Sequence, residues 1–118
     1  MREKILEYFK EYRLIPLDHF FKKYYTGVTL PYIYKCVLKE EYPIEEVKDL
    51  LIELHDEDEI KSLYCHTVKD VVFESNLSQH RNYNKNKTYL PYDGLNMSYD
   101  YFLNRLNEIV ENEKELSN

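Results

Sequence analysis

Between residues 2 and 13 the apolar positions Ile5, Leu6, Phe9 and Tyr12 recur at helical spacing, and Glu3, Lys4, Glu7, Lys10 and Glu11 take the remaining face. That period buries one side of a first helix and leaves the other in water. A second stripe, Leu17, Phe20, Phe21 and Tyr24, follows Pro16 and stops at Gly27. It predicts a short aromatic helix, opened by a proline whose missing N–H is no loss in a first turn. Thr29 carries a hydroxyl suited to capping a third helix, Pro31 is tolerated in its first turn, and Ile33, Cys36 and Val37 supply its inward face to about Glu40. Pro43 opens a fourth helix, in which Ile44, Val47, Leu50, Leu51 and Leu54 form the most regular stripe of the chain, with Glu45, Glu46, Asp49 and Glu53 facing water. Leu50 and Leu54 are expected among the most buried residues. The four carboxylates of Asp56 to Glu59 oppose the macrodipole at a helix C-terminus, so the helix is expected to end at this run.

From Ile60 to Ser75 the period shortens. Leu63, Cys65 and Thr67 alternate with Tyr64 and His66, and Val71, Val72 and Phe73 follow, which predicts a two-stranded hairpin turning near Lys69 and Asp70. Residues 76 to 96 hold five asparagines and no long apolar run, and read as an extended polar loop. Ser98 then caps a last helix with Asp100 in its first turn and Phe102, Leu103, Leu106, Ile109 and Val110 on one side. Because this helix follows a long loop, its apolar face is expected to be only partly used within one copy of the chain, which makes a homodimer the expected assembly.

Composition narrows the class. A chain of 118 residues is large enough for one domain with its own core. Thirteen tyrosines, no tryptophan and two glycines favour helices over tight all-β folds. Cys36 and Cys65 form no paired framework and suit a reducing compartment, and the charged N-terminal residues and lack of a long apolar run argue against a signal peptide or membrane span. A cytoplasmic location is expected.

The net charge is −6, but it is unevenly placed. Residues 1 to 43 carry eight Lys/Arg against six Asp/Glu, whereas residues 44 to 75 carry three against ten. A basic face can therefore coexist with an acidic one.

No glycine-rich phosphate loop, nucleophile elbow or paired Cys/His set is present, so no enzymatic activity, metal or cofactor is expected. Cys65 and His66 are adjacent in a strand and point to opposite faces, which keeps them from sharing one metal. The carboxylates of Asp56 to Glu59 lack the spaced ligands and glycine of a calcium loop.

The segment Gly27-Val28-Thr29-Leu30-Pro31-Tyr32-Ile33-Tyr34-Lys35-Cys36-Val37 resembles the turn and recognition helix of bacterial helix-turn-helix regulators. Gly27 matches the glycine of the turn, Thr29 the helix cap, and Ile33 and Cys36 the apolar anchors. Lys22 and Lys23 stand where that family places a small residue, which implies a turn one residue longer.

The resemblance implies a mainly α, winged-helix-like domain over residues 1–75 with a small β-hairpin, a polar loop over 76–97, and a C-terminal helix over 98–118 that is either part of the same domain or a dimerisation element. It further implies double-stranded DNA as partner and a small transcriptional regulator as function. Thr29, Leu30, Tyr32, Tyr34, Lys35 and Lys39 would face the duplex, with Lys22 and Lys23 reaching phosphates. Arg81, Lys85 and Lys87 of the loop, interleaved with Tyr83, Tyr89 and Tyr92, would add backbone contacts.

A second reading stays open beside it. The acidic surface of the fourth helix and the many tyrosines also suit an acidic protein-binding module, such as an inhibitor or immunity protein, that docks onto a basic protein and binds no nucleic acid.

Overall fold

A computed structural model describes residues 1–11, 27–65, 68–76 and 97–117. The helical stripes become α1 (Arg2–Glu11), α2 (Leu30–Tyr32) running directly into a π-helical turn (Ile33–Val37), and α3 (Ile44–Asp56). An antiparallel pair, β1 (Ile60–Cys65) and β2 (Asp70–Ser75), and a last helix, α4 (Tyr99–Ser117), complete a mainly α architecture with one small hairpin. The second helix expected from Pro16 to Gly27, the strand end at His66 and Thr67, and the polar loop beyond Asn76 lie outside the described residues.

Three of the helix starts are explained locally. The Thr29 hydroxyl accepts from the Tyr32 N–H at 3.4 Å, and the Ser98 hydroxyl accepts from the Tyr101 N–H at 3.1 Å, so both satisfy N–H groups that a helix start leaves open. At α3 the Pro43 carbonyl accepts from Glu46 and Val47 at 3.0 and 3.2 Å. The exit of α3 closes through Glu59 N–H to the Leu54 carbonyl at 2.9 Å, with Asp58 at φ 61°. The helix therefore ends where the carboxylate run begins.

The helix after Thr29 is shorter than its sequence implies. Leu38 N–H bonds to the Ile33 carbonyl at 2.9 Å, five residues back, which widens the turn by a residue. Lys39 and Glu40 then take φ 52° and 60°, the left-handed region that ends a helix. The helix stops at Val37 and not near Glu40. The widened turn also corrects its expected inward face, because Cys36 is exposed and Leu38, at 0 % exposure, takes the place against the core.

The hairpin pairs Ile60 with Ser75, Ser62 with Phe73 and Tyr64 with Val71 on one face. Ile60, Val71 and Phe73 join the main core from this face. On the other face Leu63, Cys65 and Val72 form a second small cluster, so the hairpin is covered on both sides. Lys69, at φ 57°, supplies the turn conformation without a glycine.

Val28 adds a short third line beside β2. Its N–H donates to the Phe73 carbonyl at 3.0 Å, and the Phe73 N–H donates to the Val28 carbonyl at 2.7 Å. The resulting order is Val28, β2, β1, with β2 in the middle.

Gly27 makes this approach feasible, since it sits at φ +79° and a Cβ there would lie 2.8 Å from Glu74 Cγ and 3.0 Å from the Phe73 carbonyl oxygen. Gly27→Ala is expected to lose about 1–3 kcal/mol through the strained φ, with the close contact adding to it. A urea midpoint equal to that of the wild type would show that Val28 is not held against β2.

One core gathers the elements. Ile5 and Phe9 of α1, Leu30 and Ile33, the α3 stripe, the inner face of the hairpin and α4 all contribute to it. On α4, Phe102, Leu106, Ile109 and Val110 are 1 %, 0 %, 4 % and 4 % exposed, and Leu103 packs beside them. The premise that this face is left over for a second copy is therefore corrected, because it is already covered within one chain. The exposed residues of α4 include Asp100, Asn104, Glu108, Glu111 and Glu115, together with Tyr99 and Leu116 at 44 % and 79 % exposure. Among the described residues no helix is long and apolar enough to cross a membrane.

Candidate functional site

Two surfaces hold the residues singled out by sequence. The first is the segment after Gly27. Thr29 is half-buried and spent on its cap, and Tyr34 is half-buried against the core. Leu30, expected to face outward, is 0 % exposed. The reason is geometric: with the helix opened at Thr29, Leu30 and Ile33 fall at i and i+3 and share the inward side.

Tyr32 does face out, at 44 % exposure, with its ring 6.4 Å from that of Tyr8. Lys39 is exposed in the turn beyond the helix. Lys35 reaches outward from the helix but is not a free cation: its Nζ lies 2.9 Å from Glu113 Oε1 on α4, and this hydrogen bond raises its pKa. Lys22, Lys23, Arg81, Lys85 and Lys87 lie outside the described residues.

Other cations near this surface are also matched. Lys4 Nζ is 2.8 Å from Glu41, whose carboxyl it holds below the usual range. Arg2 lies 3.2 Å from Glu57 and 4.0 Å from Glu53. Such exposed pairs each contribute little to stability, about 0–1 kcal/mol, but they decide which charges remain for a partner.

The second surface is the outer side of α3. Its exposed helical residues are Glu46, Asp49, Glu53 and Asp56, at i, i+3, i+7 and i+10. This spacing puts four carboxylates on one stripe, running about 15 Å along the helix. Glu57, Asp58 and Glu59 prolong it past the helix end, all exposed.

Among the described residues Arg2 reaches the stripe at Glu53 and its extension at Glu57, and Lys48 and Lys114 lie beside it. Lys48, whose side chain is 18 % exposed, donates to Asn107 Oδ1 at 2.9 Å and lies 3.3 Å from Asp49. Lys114 holds Glu45 at 2.7 Å on the α4 side and, with Glu45's own backbone N–H, lowers its carboxyl pKa. The stripe keeps a net negative charge.

The stripe is fixed to the core at its C-terminal end. His55, 7 % exposed, lies with Nδ1 3.0 Å from the buried Ser62 hydroxyl, and its ring sits 4.6 Å from Phe102. The Tyr99 ring stacks on His55 at 6.0 Å, and its hydroxyl donates to both Asp56 oxygens at 3.1 Å. Burial and the hydrogen bond to Asp56 raise the Tyr99 pKa. On the far side of α4, Arg105 grips Asp70 with two bonds of 2.8 and 3.0 Å, tying the hairpin turn to the helix and raising the guanidinium pKa further.

Sequence reasoning marked Glu46, Asp49 and Glu53 as solvent-facing but missed Tyr99, His55 and the Arg105–Asp70 clamp. Each of those rests on a partner far along the chain, for which local periodicity carries no signal. Among the described residues no group of three or more His, Cys, Asp or Glu is arranged to hold a metal ion. No protein-family model, no characterised protein and no solved structure matches this chain.

Proposed function

We propose that the chain is an acidic protein-binding module on a winged-helix-like scaffold, and that its partner is a basic protein. The scaffold reading is supported by element order: α1, the extended Val28, α2, α3, β1 and β2, with β2 between Val28 and β1. In a helix-turn-helix pair the second helix is the one that enters the major groove. On this scaffold that helix is α3, and the Thr29-capped segment is the supporting first helix.

The observation that carries the function is the stripe of Glu46, Asp49, Glu53 and Asp56 on α3. A carboxylate brought within about 4 Å of a phosphate costs about 1 kcal/mol in water and about 4 kcal/mol at the lower effective dielectric near a protein surface. A good base contact contributes about 1–3 kcal/mol. Four carboxylates on the approaching helix outweigh such contacts, whereas against a basic protein the same charges steer association and choose the partner. The mode fits an inhibitor or immunity protein. The free thiols Cys36 and Cys65 fit a reducing compartment such as the cytoplasm.

The rival reading is a DNA-binding regulator. It would have to use Tyr32 and Lys39 together with Lys22, Lys23, Arg81, Lys85 and Lys87. Fluorescence anisotropy with a labelled random-sequence duplex at low salt separates the two. The expected result is no binding. Binding that weakens steeply as salt rises would overturn the proposal in favour of a duplex surface.

A further inference from the structure

We draw no further inference here: the strongest candidate, the cluster of His55, Ser62, Asp56 and Tyr99 where the end of α3 meets β1 and the first turn of α4, has its polar groups turned toward one another, and nothing in the structure shows a ligand or partner seated on it.

Discussion

Phe102→Ala is expected to destabilise the protein by about 3–5 kcal/mol, a large share of the roughly 5–15 kcal/mol that holds a domain of this size folded. Phe102 is 1 % exposed, and its ring meets His55 at 4.6 Å, Tyr99 at 5.9 Å and Phe73 at 6.1 Å. It therefore joins α3, the hairpin and α4 at one point. Removing the ring forfeits its transfer from water and leaves a cavity that three rigid elements can fill only in part. Urea unfolding followed by far-ultraviolet and tyrosine near-ultraviolet circular dichroism should show one transition, shifted to lower denaturant. Loss of α4 alone, with the remaining signal unchanged, would show that α4 is not part of the common core.

Leu54→Ala is expected to cost about 2–5 kcal/mol. Leu54 is 0 % exposed in the last full turn of α3, while Leu50, one turn earlier, is 9 % exposed. Leu50→Ala should accordingly fall toward the lower end of that range. The denaturation midpoint measures both, with an unchanged m-value showing that the denatured state is the same. A wild-type midpoint for Leu54→Ala would mean that the apolar side of α3 is turned to a partner, and the carboxylate stripe on its other side would lose its meaning as the binding face.

How far these elements could be read beforehand depended on whether their cause was local. The α3 stripe repeats five apolar positions over three turns, the caps at Thr29 and Ser98 act within three residues, and both are visible in a linear pattern. The hairpin was legible from β-branched residues and alternation even though Lys69, and not a glycine, takes the left-handed turn position. The helix after Thr29 was read with a uniform 3.6-residue period, and the widened turn at Ile33–Val37 breaks that period. Two turns of helix offer too few residues to reveal the break, so the linear pattern points Cys36 inward; Leu30 lies before the break and is buried because it shares the inward side with Ile33 at i+3.

The site was less legible than the fold for the same reason. Lys35 and Glu113 are distant in sequence, so an outward lysine could not be recognised as an ion-paired one. The pairing of Val28 with Phe73 is likewise a single non-local bridge. Gly27 and the Thr29 cap are visible in the local sequence, but the strand that Val28 joins is not. The acidity of α3 itself was plain from Glu46, Asp49 and Glu53. Its significance follows from position, and position is set by the tertiary fold.

The claim that the α3 carboxylates form the binding face is tested most directly by capture from a lysate of the source cells, comparing the wild type with Glu46→Lys/Asp49→Lys/Glu53→Lys. Circular dichroism should first show the variant folded, since exposed substitutions typically change stability by no more than about 0.5 kcal/mol each. The wild type is predicted to retain a basic protein in stoichiometric amount and to release it as salt shortens the screening length from about 10 Å at 0.1 M to about 3 Å at 1 M. The variant is predicted to retain none. Equal retention of the same protein by both, or retention of duplex DNA and no protein by the wild type, would contradict the assignment of this face.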